Sequence, residues 1–428
     1  MKIIDRKRYL DKIISKKENG MIKIISGIRR SGKSYLLFKL FTNYLLNKGV
    51  DEDHIISLAL DSDLNEKYCN PNVLSEYVHS KIVDNKMYYI LLDEIQFAIS
   101  NDEIKSGKPL KIYSVLNGLL NMSNVDIYVT GSNSRFLSSD IMTEFRGRGD
   151  EVKVYPLTFS EFYSVFDGDK YEAWREYSTY GGMPQLINLN GDENKSQYLI
   201  NLMNNVYLRD VIERNIIKGS TVMDSLVDVL ASSVGSLTNP NKLVDTFTSN
   251  AIKTNVVTIS NYIDYLIDAF VINKAQRYNV KGRKYIGSPF KYYFTDIGIR
   301  NARLNFRQQE QTHIMENVIY NELLVRGFNV DVGVVEHTVK DDNNKRTIKQ
   351  LEIDFVCNKG SHRYYIQSAF SMPDEIKKRQ EEASFNLVKD GFKKIIVTQD
   401  NIKPYYTENG YLVINLLDFL LNENCLSM

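Results

Sequence analysis

The sequence predicts an α/β protein built on a parallel sheet, and two observations carry that expectation. Apolar, strand-like runs at Ile22 to Ser26, Ile55 to Leu60, Tyr88 to Asp93, Val125 to Gly131 and Glu151 to Tyr155 are separated by helical stretches, and strands that alternate with helices belong to parallel sheets. The first run leads directly into Gly27-Ile28-Arg29-Arg30-Ser31-Gly32-Lys33-Ser34, a complete G-x-x-x-x-G-K-[ST] phosphate loop, and Ser34 opens a helical run through Tyr35, Leu36, Leu37, Phe38, Leu40, Phe41, Tyr44 and Leu45. Strand, loop and helix in that order predict a P-loop NTPase core.

The residue types in the loop suit an anion. Glycines let the backbone turn its N–H groups onto phosphate oxygens, Lys33 adds a point charge at the β/γ-phosphates, and Ser34 offers a hydroxyl to Mg²⁺. A helix that begins at Ser34 adds its own N-terminal donors and dipole. Gly27 through Ser34 are therefore expected to bind ATP with Mg²⁺. No Asn-Lys-x-Asp motif for reading guanine is present.

The run from Met87 to Leu92 ends in Asp93 and Glu94. Asp93 is expected to hold Mg²⁺, directly or through water, and Glu94 to orient the water that attacks the γ-phosphate. An isolated acidic pair at a strand end is as readily a solvated turn; the phosphate loop upstream gives this one its meaning.

The fourth run ends Tyr128-Val129-Thr130-Gly131-Ser132-Asn133. Here the chain resembles the AAA+ ATPases, in which a polar sensor at the end of that strand faces the γ-phosphate. The resemblance implies Asn133, with Ser132 as second choice; turn chemistry is the other account of an asparagine after Gly-Ser. In AAA+ proteins an arginine before the fifth strand reaches the nucleotide of a neighbouring subunit. Arg146 and Arg148, within Glu144-Phe145-Arg146-Gly147-Arg148-Gly149-Asp150, are the candidates, and they imply a homo-oligomer; surface pairing with Glu144, Asp150 or Glu151 is the alternative. The phrases Val154-Tyr155-Pro156-Leu157-Thr158-Phe159 and Tyr180-Gly181-Gly182-Met183-Pro184 look like one group of bacterial and archaeal ATPases, in which a C-terminal domain of unknown function follows an AAA+ core.

With 428 residues, 43% apolar and 25% charged, the chain has ordinary globular composition and length for two or more domains. The expected division is an AAA+-like core at 1–156, a helical connector or lid at 157–219, a winged helix at 220–307 and a restriction-endonuclease-like α/β module at 308–428. The start Met1 to Lys7 is charged, and no apolar run approaches the ~20 residues of a membrane helix, so no membrane partner is expected. Cys69, Cys357 and Cys425 are scattered, which suits reduced thiols in a cytoplasm. Five dispersed histidines show no metal-ligand spacing, and a net charge of +1 excludes a global polycation.

Between Lys274 and Lys291 there are six basic residues and no acid, interleaved with Tyr278, Tyr285 and Phe290. The preceding stretch from Asn261 to Phe270 reads as a helix capped by Ser260. Helix, turn, helix and a basic hairpin closing on Lys291-Tyr292-Tyr293-Phe294 resemble a winged helix, with the wing at Arg277 to Pro289. Lys274, Arg277, Lys281, Arg283 and Lys284 are the candidate DNA contacts. Docking of a protein is the alternative, and Asp264 and Asp268 on the helix would repel phosphates if they faced outward.

Farther on, a helix at Thr312 to Leu324 precedes strands at Val330 to Val335, Gln350 to Val356, Arg363 to Gln367 and Lys394 to Thr398. Glu316, Glu352-x-Asp354 and Tyr364 to Ala369 resemble the core of the PD-(D/E)xK nuclease fold. Active members gather a metal between a helix Glu, a strand Asp and a Glu-x-Lys strand. In this chain Gln367 stands in place of that Glu and Ala369 in place of the Lys, so Glu316, Asp354 and Gln367 are expected to be vestigial. Arg209 could fold back as a second sensor; an i,i+4 ion pair with Glu213 is preferred. The expected activity is ATP hydrolysis coupled to DNA or protein binding, with a slow nucleotide-controlled switch as the alternative and a metal-dependent nuclease as the third reading.

Overall fold

The computed structural model describes residues 3–100, 102–103, 110–132, 147–307, 310–340 and 346–427. Two compact units emerge: Met1–Pro156 with Asp268–Phe270, and Leu157–Ile267 with Val271–Met428.

The first unit is a five-stranded parallel sheet of β1 (Ile22–Ser26), β2 (Ile55–Ala59), β3 (Tyr88–Asp93), β4 (Val125–Gly131) and β5 (Gly149–Lys153), in the order β2-β3-β4-β1-β5. Every residue of β1, β3 and β4 is buried, the pattern of a parallel sheet covered on both faces. Ile24, Ile90, Leu92, Ile127 and Val129 pack with Leu74 and Val78 of the helix Pro71–Lys81 and with Ile112, Leu116 and Leu119 of the helix Lys111–Leu120. The expected α/β class and parallel core are therefore observed.

One charged pair lies inside this sheet. Lys23 on β1 is fully buried and forms an ion pair with Asp126 on β4. Its ammonium also donates to the Met21 carbonyl at 2.7 Å and lies 4.9 Å from the Tyr128 ring centre. Asp126 accepts from the Tyr128 hydroxyl at 2.7 Å and from the Glu18 N–H at 2.9 Å. Burial holds the Lys23 pKa below its usual value, against the pull of Asp126.

In the second unit β6 (Ile272–Asn279), β7 (Lys284–Phe294), β8 (Asn329–Lys340), β9 (Arg346–Lys359), β10 (His362–Ala369), β11 (Lys393–Thr398), β12 (Tyr405–Tyr406) and β13 (Leu412–Asn415) form one mixed sheet, ordered β12-β13-β11-β10-β9-β8-β6-β7. The β6–β7 hairpin expected as a separate wing is the edge of this sheet, because β6 pairs in parallel with β8 from Arg277↔Val332 to Asn279↔Val334. The preceding helix runs Val256–Asp268, longer than expected. Asn255 Oδ1 accepts from the Thr258 N–H at 2.9 Å, so Asn255 supplies the cap and Ser260 lies inside the helix. Arg209 pairs with Glu213 at 2.7 Å, as their spacing predicts.

The Gly181-Gly182-Met183-Pro184 phrase is a packing device. Gly181 has φ +76°, and a Cβ there would strike the Asp296 carboxylate, while one on Gly182 would strike the Leu157 carbonyl. The Gly182 N–H donates to Asp296 Oδ2 at 2.7 Å and the Ile299 N–H to Oδ1 at 3.1 Å. Complete burial nonetheless pushes Asp296 up to about 6.

Removing one member of the Lys23–Asp126 pair leaves a buried charge uncompensated. Asp126→Ala should cost about 3–5 kcal/mol in chemical denaturation, and Lys23→Met combined with Asp126→Leu should recover most of that loss.

Candidate nucleotide-binding site

The loop from Gly27 to Ser34 leaves the C-terminal end of β1, where parallel sheets present their ligand sites. Gly27 has φ +141°, and a Cβ there would collide with the Val154 carbonyl, so no larger residue fits. Arg30 (φ +64°) and Gly32 (φ +96°) are also left-handed, and they curl the loop before the helix that opens at Lys33–Tyr35 and continues through Leu36–Phe41 and Thr42–Asn47. Lys33 is buried, and its ammonium donates to the carbonyls of Gly27 at 3.0 Å and Ile28 at 3.1 Å. Ile28 and Ser31 are buried, Arg29 is half-buried and Arg30 is exposed.

Asp93 ends β3 and is buried. Burial raises its pKa, and hydrogen bonds from Ser34 and Thr130 oppose the rise. Ser34 and Asp93, the two groups expected to share Mg²⁺, thus lie near enough to interact. Thr130, near the end of β4, is the residue that sequence reasoning missed. Its hydroxyl donates to Asp93 Oδ1 and accepts the Glu94 N–H at 3.0 Å. A single polar residue before Gly131 is a weak signal, and its meaning depends on β4 lying between β1 and β3.

Glu94 is 6% exposed and has a left-handed backbone, φ +53°. Its Oε2 accepts from the Ser132 hydroxyl at 3.2 Å and from Gln96 Nε2. Ser132, the second choice as sensor, therefore adjoins Glu94. Asn133 and Arg146 lie outside the described residues. Arg148 is exposed and stands just before β5; its carbonyl accepts the Ile22 N–H at 2.9 Å. That places it at the start of β1, the end of the sheet opposite the phosphate loop. Of its alternative partners, Asp150 is engaged by Lys16 and by Asn19 at 3.0 Å, and Glu151 by the Ser26 hydroxyl.

The cradle fits a phosphate–Mg²⁺ group in shape and donor set: left-handed loop positions, a buried lysine at the loop, and a hydroxyl–carboxylate pair beside it.

In the second unit the expected DNA contacts separate. Arg277 is buried and donates to Gln350 Oε1 at 3.0 Å, so it leaves the surface. Lys274 lies 3.9 Å from the Phe290 ring centre, Lys281 is exposed and donates to the Glu336 carbonyl at 2.9 Å, and Arg283 and Lys284 are exposed. Asp264 is exposed as well, so acid faces outward from the helix before the hairpin.

Ala369 leaves its strand without a lysine, yet a basic side chain reaches the nuclease-like carboxylates from elsewhere in the chain. Lys291, from β7, is buried with its ammonium 2.9 Å from Glu316, 2.7 Å from Glu352 and 4.0 Å from Asp354. The Tyr293 hydroxyl donates to Glu316 at 2.6 Å, and the Ser368 N–H to Asp354 Oδ2 at 2.8 Å. Burial, and then the Glu316 charge, raise the Asp354 pKa well above the usual carboxylate range. Gln367 Oε1 lies 3.4 Å from the Asp354 backbone N–H. Among the described residues no group of three or more His, Cys, Asp or Glu is arranged to hold a metal ion.

A family model described as an AAA domain matches residues 19–163, and one described as a domain of unknown function (DUF8612) matches residues 171–310. An uncharacterized protein of Haemophilus influenzae is 32% identical over 428 residues, covering 98% of this chain and 99% of its own. The chain belongs to the AAA+ family of P-loop proteins. An uncharacterized protein of Methanocaldococcus jannaschii is also similar, 27% identical over 388 residues, with 86% of this chain and 79% of that one covered. The solved structures that match are distant. The Aeropyrum pernix ORC1 protein in complex with DNA has a TM-score of 0.30 at 12% identity, over 71% of this chain and 92% of that one. A DNA replication initiation factor has a TM-score of 0.30 at 16% identity, over 62% and 89%. This AAA+ member binds nucleotide, and among its described residues no helix is long and apolar enough to cross a membrane.

Thr130→Val keeps the shape of the side chain and deletes the hydroxyl shared by Asp93 and Glu94. It should cost about 1–3 kcal/mol of stability, the scale of a buried polar group left without its partner. The rise in melting temperature on adding MgATP should shrink as well, and both effects are readable in one set of thermal melts.

Proposed function

We propose that this AAA+ protein hydrolyses ATP to ADP and phosphate and couples its nucleotide state to a DNA or protein partner. The observation that supports this most is the connected set of Ser34, Asp93, Thr130 and Glu94 beside the phosphate loop, which supplies two carboxylates held for separate tasks. Gly27 through Ser34 would hold the phosphates, with Lys33 as the side-chain cation of the loop. Ser34 and Asp93 would hold Mg²⁺, whose contribution is to neutralise charge on the phosphate oxygens. Glu94 would orient water toward the γ-phosphorus; the water oxygen bonds to phosphorus, the bond to the β-phosphate oxygen breaks, and Glu94 takes the water proton. Ser132 steadies the Glu94 carboxylate, and Asn133, the next residue, is proposed as the sensor.

Arg148 lies at the far end of the sheet, five residues or roughly 17 Å at strand rise from the end of β5, so it serves a nucleotide bound to another copy. Arg146 shares that proposal, which makes the protein a homo-oligomer. A cytoplasmic setting fits three unpaired thiols. The slow-switch reading has one observation in its favour: Glu94 Oε2 accepts from both Gln96 and Ser132, which occupies the atom that would receive the proton. Cleavage of nucleic acid is not proposed, because Gln367, a neutral amide, stands where active members carry a Glu among their metal ligands.

Lys33→Ala should lose ATP binding with the fold intact, and wild-type affinity in that variant would overturn the site assignment. Glu94→Gln should bind ATP normally and turn over at least ~100-fold more slowly in steady-state assays; unchanged turnover would move the role to another carboxylate.

Arg148→Ala should bind ATP and lose turnover, by up to ~10³-fold or more on the finger scale. Mixing it with Glu94→Gln should restore part of the activity, since a mixed interface pairs an intact Glu94 with an intact arginine. No recovery at any ratio would count against a finger acting between copies.

A further inference from the structure

The turn of the β6–β7 hairpin, the turn between β9 and β10 and the segment leading into β11 converge on a cavity of about 760 Å³. Lys281, Arg283, Arg363 and Lys389 line it together with the rings of Tyr278 and Phe392. Asp390 is the one acid among the described lining residues, and its carboxylate accepts the Tyr365 hydroxyl at 2.6 Å. The cavity therefore carries a cationic excess supplied by three separate stretches of chain. Its size lies within the range of pockets that hold a small organic ligand, roughly 300–1,000 Å³.

A line of ring and cation contacts runs through the same place. The Arg363 guanidinium lies 5.2 Å from the Phe392 ring centre and 5.5 Å from that of Tyr278, and the Tyr285 ring meets Tyr278 edge-on at 5.5 Å. Arg363 Nε donates to Asn358 Oδ1 at 2.7 Å, which fixes the guanidinium between its two rings. Phe392 is 40% exposed and Tyr285 is 60% exposed. Rings of this size usually supply core area; here both are open to solvent, Phe392 beside Arg363 and Tyr285 with its hydroxyl donating to Asp331 Oδ2 at 3.2 Å.

We propose that this cavity and its row of rings bind a single strand of nucleic acid, with the cations on phosphates and successive bases stacked on the exposed rings. Cations alone would suit any polyanion. Two solvent-exposed rings, Phe392 and Tyr285, suit unpaired bases in particular, because a duplex keeps its base faces covered. A free mononucleotide would fill the cavity and leave Tyr285 unused. The inference deepens the partner half of the function proposed above and is independent of hydrolysis. It also narrows the basic hairpin to its tip, since Lys281 and Arg283 line the cavity and Lys274 and Arg277 do not.

The test uses the full chain carrying Lys33→Ala, so that nucleotide at the phosphate loop contributes nothing and failure of the hydrolysis reading leaves the result untouched. Fluorescence anisotropy would follow a labelled oligothymidylate of about 15 nucleotides, near the upper site size of single-strand binders, and a duplex of the same length. The strand should bind at least tenfold more tightly than the duplex. Phe392→Leu and Tyr285→Leu keep apolar bulk and delete the ring; each should weaken the strand about tenfold with the salt dependence unchanged. Arg283→Ala with Lys389→Ala should flatten the log–log salt slope by one to two units, roughly one per phosphate contact. All of these positions are solvent-facing, and unchanged melting temperatures would verify the fold. Equal affinity for duplex with silent ring variants, full competition by thymidine monophosphate at the strand's own concentration scale, or no binding of either polymer at low salt would each overturn the proposal.

Discussion

The position of β4 between β1 and β3 is the constraint on which the nucleotide site depends. Three neighbouring parallel strands end at the same edge of the sheet, about 4.8 Å apart, so the phosphate loop, Thr130 and the Asp93–Glu94 pair meet without any long side chain having to reach. Thr130 uses that spacing to serve both acids, with its proton directed to Asp93 and its lone pair to the Glu94 backbone. The second bond also bears on strain. A left-handed glutamate is costly, on the order of 1–3 kcal/mol, and it persists where its surroundings leave the chain no easier course. At the other end of the same strands, Lys23 and Asp126 tie β1 to β4 through buried charge, which resists slippage of one strand past the other.

Much of this first unit was legible because its signals are local. Each strand is an apolar run bounded by polar turns, and the phosphate loop is contiguous. What the sequence hid was adjacency between distant elements. Nothing near Thr130 announces that β4 sits beside both site strands. Nothing near Lys291 points to Glu352, since one lies on β7 and the other on β9. The nuclease-like resemblance looked for a lysine two residues after Gln367, whereas the basic group beside these carboxylates comes from a strand far earlier in the chain.

The basic hairpin shows the same limit in terms of charge. Counting residues from 274 to 291 treats six cations as one patch, yet Arg277 is spent on Gln350 and Lys291 on three carboxylates. Continuity with β8 also changes what the hairpin can do. Its backbone is hydrogen-bonded into the sheet through β6, so it holds the loops around the basic cavity in a fixed relation instead of swinging as a free arm.

Lys291 gives the second unit a property that a metal centre would lack. The cation balancing Glu316, Glu352 and Asp354 is covalently part of the chain, so its local concentration never varies. A chelator cannot strip it out, and a competing divalent ion cannot displace it without leaving a buried ammonium behind. The packing of α-helix against sheet around this centre therefore draws its counter-charge from the chain itself and owes nothing to the metal supply of its surroundings.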